Sequence, residues 1–198
     1  MHHTRTFLYG LLFSALQYFY FLGLESGLAA TVTIYMTVVF SWLFGAWLSL
    51  NLTRAELKPV HVLASVAAYL ATLWGVFQFP FDGRLLPLYA VAIGISGFVV
   101  GVFFRSFARH FQRSKSLFLW ENNGFILGFI VALFGFLRFG RAFMLSFPVG
   151  LAVVLVVMDV VARWQESERG LRAVSVGTVE HTLGRMTGAG FETGRRPH

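Results

Sequence analysis

Six apolar stretches, each long enough to cross a bilayer, fill residues 6–162 and leave little chain between them. A helix needs roughly 20 apolar residues to span the hydrocarbon core. Residues 6–24, 26–53, 60–81, 85–104, 116–137 and 142–162 each supply such a run. Within them only Glu121 and Asp159 are acidic, and no Lys or Arg interrupts them. In lipid every backbone polar group must be satisfied internally, so these runs must be helices or a closed barrel, and continuous apolarity without alternation selects helices. The expected fold is therefore all-α, a polytopic integral membrane protein with six transmembrane helices. Only 13% of the residues are charged, against about a quarter in a soluble domain, and no linker separates the spans. Residues 1–162 read as one membrane domain. Residues 163–198 read as a basic cytoplasmic tail, partly helical up to residue 176 and then extended or disordered, rich in Gly and Thr. The first span lacks a clear cleavage signal and is expected to be retained as an insertion signal.

The charges between the spans set the orientation. Thirteen Lys and Arg fall in the N-terminus, the second and fourth gaps and the tail, and three fall in the first, third and fifth gaps. The positive-inside rule then puts both termini in the cytoplasm. The odd gaps, Glu25-Ser26-Gly27, Asp82-Gly83-Arg84 and residues 138–141, are short enough to force antiparallel hairpins. The net charge of +7 is explained by contact with anionic lipid heads, so no nucleic-acid partner is expected. Arg105, Arg109, Arg113, Lys115, Arg163, Arg169 and Arg172 are the expected lipid or partner contacts. The chain has no cysteine, which excludes thiol redox chemistry and thiolate-held iron–sulfur clusters. No metal-ligand constellation is present.

Small residues mark where helices approach closely. Gly94, Ser96, Gly97 and Gly101 lie on span four, and Gly124, Gly128 and Gly135 on span five. Gly45 and Ala46 sit between Trp42 and Trp47 on span two. Polar residues inside spans are functional hypotheses by default. Gln17 is mid-span, Glu121, Asn122 and Asn123 stand together on span five, and Asp159 is near the end of span six. Glu121 and Asp159 are expected at similar depth, with Arg105 and Arg109 as partners. His61, after Pro59 at the head of span three, is the candidate axial ligand for a pigment, and bound lipid is expected.

Two resemblances follow from these strings. Gly94-Ile-Ser96-Gly97 resembles the nucleophile segment of rhomboid intramembrane proteases, whose chemistry needs a histidine base. Span six offers none, and His61 lies at a different depth from Ser96. Taken over residues 6–162, the spans resemble the six-helix membrane region fused to spermidine-synthase-like proteins, itself similar to one half of a major facilitator transporter. Glu121-Asn122-Asn123-Gly124-Phe-Ile-Leu-Gly128 stands where that region has Asn-Thr-x-Gly-x-x-x-Gly; the glycines match, and Glu121 and Asn122 replace Asn and Thr. The Gly-x-x-x-Asp-Arg-x-Gly-Arg-Arg loop of facilitators is missing from residues 45–58. The resemblance implies an architecture. The expected function is a non-enzymatic accessory or scaffold subunit of a larger complex in a cytoplasmic or equivalent energy-transducing membrane. It would contact lipids, other integral membrane subunits and a cytoplasmic partner of the tail. The alternative is a half-facilitator-like transporter acting as a dimer, and a rhomboid-like protease is third.

Overall fold

A computed structural model of the chain describes residues 2–28, 32–52, 56–109, 111, 114–162 and 164. These residues form six long helices: α1 (His2–Leu28), α2 (Val32–Leu52), α3 (Pro59–Gln78), α4 (Leu86–Ala108), α5 (Ser114–Phe139) and α6 (Arg141–Ala162). All six are long and apolar enough to cross a membrane, α4 being extended by a short 3-10 turn at Gly83–Leu85. No strand occurs among the described residues. The protein is an all-helical membrane protein. It divides into two compact units, Met1–Met158 and Asp159–His198. Arg113, Arg163, Arg169, Arg172 and most of the expected tail lie outside the described residues.

The helix ends correct two of the expected turns. Glu25, Ser26 and Gly27 are helical, because α1 continues to Leu28. Ser26 Oγ donates to the Gly23 carbonyl, and the Phe81 N–H donates to the Gly27 carbonyl; these bonds tie the last turns of α1. Between α5 and α6 only Gly140 leaves the helical path, with φ +59°, a region open to glycine at no steric penalty. At Asp82-Gly83-Arg84 the side chain of Asp82 accepts from the Arg84 N–H, opening the 3-10 turn that leads into α4.

The first unit is built around α1. Tyr9, Leu12, Phe13, Leu16, Phe19, Tyr20 and Leu24 are all buried and cover several sides of that helix, as expected of a helix that is apolar all round and enclosed by its neighbours. Helices α2 and α5 keep broad apolar faces exposed, including Phe40, Phe44 and Trp47 on one and Ile126, Ile130 and Phe134 on the other.

Two parallel helix pairs, α1 with α5 and α2 with α4, are packed backbone to backbone, and the same junction is built in both. On α1, Gly10 meets the Glu121 carbonyl, while Gly124 meets the Phe7 carbonyl and Gly128 meets the Leu11 carbonyl and Ser14. On α2, Gly45 meets the Gly94 carbonyl, while Gly97 meets the Trp42 carbonyl and Gly101 meets the Ala46 carbonyl and Ser49. The spacing is Gly-x-x-x-Ser on the first helix of each pair. On the second, the residue whose carbonyl meets that Gly precedes glycines at three and seven residues. A Cβ at Gly10, Gly45, Gly97 or Gly124 would overlap the facing backbone. Lipid supplies little hydrophobic drive between helices, so close dispersion contact must hold them together. Gly94 has more room, and its contribution is the carbonyl that Gly45 approaches. Gly135 instead receives the Phe143 ring of α6.

Candidate functional site

Three polar features interrupt the apolar first unit. The first is a buried hydroxyl network. Tyr20 Oη and Ser96 Oγ lie 2.9 Å apart, and Ser96 donates to the Ser65 carbonyl at 3.2 Å, joining α1, α4 and α3. The Tyr69 ring meets the Tyr20 ring edge-on, and its hydroxyl donates to the Met144 carbonyl of α6 at 2.6 Å. That last bond has a sequence cause. In an α-helix the Met144 carbonyl would accept from residue 148, and residue 148 is proline, which has no N–H to give. Tyr69 fills the vacancy. Ser96 is thus committed to Tyr20 and to backbone, and no histidine among the described residues hydrogen-bonds to it.

The second feature is His61, at the end of an apolar groove of ≈ 490 Å³ between α2, α3 and α4, where Phe44, Gly45, Gly94 and Phe98 also line the wall. The Lys58 N–H donates to His61 Nδ1 at 2.9 Å, closing the first turn of α3. The Lys58 carbonyl also lies 3.3 Å from Nδ1, so the place of the ring proton follows the tautomer. The neighbouring connection is pinned by two further contacts. The Leu57 N–H donates to Ser106 Oγ at 2.8 Å, and Arg109 pairs with Glu56 at 3.3 Å. Arg109 therefore takes its carboxylate partner from the stretch before α3, whereas the sequence suggested Glu121 or Asp159. Arg105 is half-buried on the last turns of α4, and Lys115 is exposed.

The third feature is the polar set on α1 and α5. Gln17 is half-buried and lines a second groove, of ≈ 330 Å³, between α1, α2 and α5. Glu121 is half-buried, and its carbonyl is used in the junction with Gly10. Asn122 and Asn123 are exposed on α5. None of these four side chains has a hydrogen-bond or ion-pair partner among the described residues. Asp159, buried, opens the second unit. Within the first unit, Gln17 lines a groove and the two asparagines lie on the outer surface. Sequence reasoning missed Gly10, Ser14, Ser49, Tyr20 and Tyr69. The Gly-x-x-x-Ser spacing shared by α1 and α2 was the available signal for the first three.

No protein-family model matches this chain, and neither a curated protein nor a solved structure matches it.

Proposed function

We propose that the protein is a non-enzymatic integral membrane subunit that assembles through the outer face of α5 with another membrane-spanning chain, its own termini in the cytoplasm. The observation that carries this reading is the exposed pair Asn122 and Asn123. They lie eight and nine residues past the start of a 26-residue helix, about 12 Å along its axis. A helix about 39 Å long overhangs a core of about 30 Å by only a few ångströms at each end. The amides therefore stand inside the hydrocarbon, where an exposed polar side chain is expensive. A neighbouring helix that offers a hydrogen-bonding side chain removes that cost, worth about 1 kcal/mol for each bond. The exposed apolar residues Ile126, Ile130 and Phe134 extend the same helix as a docking element. The bias of Lys and Arg supports cytoplasmic termini, in a cytoplasmic (inner) or equivalent energy-transducing membrane.

Replacing Asn122 and Asn123 together with leucine tests the reading. In mild detergent the wild-type chain is expected to travel in an assembly with different membrane polypeptides. The double variant is expected to be released as a folded monomer, because both side chains are already on the surface. A wild-type chain that purifies alone, or a variant that stays in the assembly, removes the proposal. A wild-type homodimer broken by the same substitutions would favour the half-facilitator alternative, which uses this face between two copies.

A further inference from the structure

We infer that the groove between α1, α2 and α5 is a binding site for a neutral, ring-bearing membrane lipid of the quinone type. Its walls are aromatic and aliphatic, with Tyr18 and Phe21 on α1, Tyr35 on α2 and Phe125 and Phe129 on α5. Tyr18 meets Phe129 edge-on, with ring centroids 4.9 Å apart. At the floor, Ser14 is 1% exposed and its hydroxyl has no hydrogen-bond partner. Beside it the half-buried Gln17 amide lines the same groove and is unpartnered among the described residues. Buried polar groups without partners are rare in native structures, and each calls for a ligand, a water or a strain explanation. Ser14, Gln17, Tyr18 and Phe21 follow helical spacing, so α1 presents all four to one side.

Depth and shape decide the ligand class. Ser14 and Gln17 are the thirteenth and sixteenth of 27 residues in α1, at the middle of the span. A phospholipid head is charged or zwitterionic and stays at the interface, and its acyl chains carry no hydrogen-bonding group at mid-bilayer. No charged side chain lines the groove, so nothing there would neutralise an ion. A neutral ring with carbonyl oxygens meets every condition: its faces pack on Phe125 and Tyr18, and its carbonyl accepts from the Gln17 amide or the Ser14 hydroxyl. The volume of ≈ 330 Å³ falls in the range of small-molecule pockets. A directly packed partner helix would be met by backbone-to-backbone contact as in the two junctions described above, whereas this groove stays open. Asn122 and Asn123 do not line the groove, and its test does not depend on the assembly proposed there.

The full chain in nanodiscs of quinone-free phosphatidylcholine, titrated with decylubiquinone, should show saturable protection against thermal unfolding. Gln17→Leu should weaken that binding about tenfold or more. It should also raise the unfolding temperature of the ligand-free protein, because a site kept for a ligand is stabilised when its orphaned polar group is removed. Ser14→Ala should weaken binding and likewise raise that temperature, because it removes the buried unpartnered hydroxyl. Absence of saturable protection in the wild type overturns the inference, as does undiminished binding by Gln17→Leu. A lower ligand-free unfolding temperature in Gln17→Leu would mean that the amide is structural and would also overturn it. So would a dimer in empty nanodiscs that Gln17→Leu dissociates, because a second copy would then fill the groove.

Discussion

Proline 148 and tyrosine 69 show how a single residue is explained only by another far from it. Pro148 deprives the Met144 carbonyl of its helical donor, and the Tyr69 hydroxyl, from α3, takes that place at 2.6 Å. In a bilayer no water can do so. Tyr69→Phe should therefore destabilise the protein by about 1 kcal/mol, measured as a shift in its unfolding midpoint in mixed detergent. Restoring the missing donor by Pro148→Ala in the same background should recover most of the loss. An unchanged midpoint in Tyr69→Phe would mean that the carbonyl is satisfied some other way. Ser96 carries the opposite lesson. Its setting beside glycines resembles a nucleophile segment, but its hydroxyl is bound to Tyr20 and to the Ser65 carbonyl. A one-dimensional motif cannot report which hydroxyl a serine will meet from another helix.

Among the helices, the decisive elements are the two parallel pairs. The glycines of α4 and α5 were legible in the sequence as packing residues, because small residues at four-residue spacing leave a flat stripe. Their partners were not legible. Nothing in the order of residues states that α5 lies on α1 and α4 on α2, or that Gly10 and Gly45 meet carbonyls in the same register. Gly97→Leu and Gly128→Leu should each separate a pair and destabilise by about 3 kcal/mol or more, since overpacking at a backbone contact leaves no flexible neighbour to yield. Gly150→Ala is the contrast, because a Cβ there meets open space. It should leave stability unchanged or raise it slightly, since alanine favours the helix. Unfolding curves of the three variants decide the point, and equal stability across them would refute the junction as the source of pairing.

At the scale of the whole molecule, the charge bias between spans gives a topology that labelling can read. The natural chain contains no cysteine, so one introduced thiol reports one position. A cysteine at Ser114 should react with an impermeant reagent only after the membrane is opened. A cysteine at Asp82 should react in intact cells expressing the protein in the inner membrane with a permeabilised outer layer. The reverse pattern would invert the orientation and the cytoplasmic placement of both termini. The number of spans, their helical nature and their approximate limits came from the sequence, because the cost of an unsatisfied backbone group or a charge in hydrocarbon acts on each segment separately, whatever its neighbours. Which glycines face which carbonyls, which hydroxyl answers Pro148, and that Ser14 and Gln17 share a recess walled by α2 and α5 were decided only by the tertiary structure. Those are properties of pairs of helices, and packing between helices in lipid depends on shape at short range, which no single segment contains.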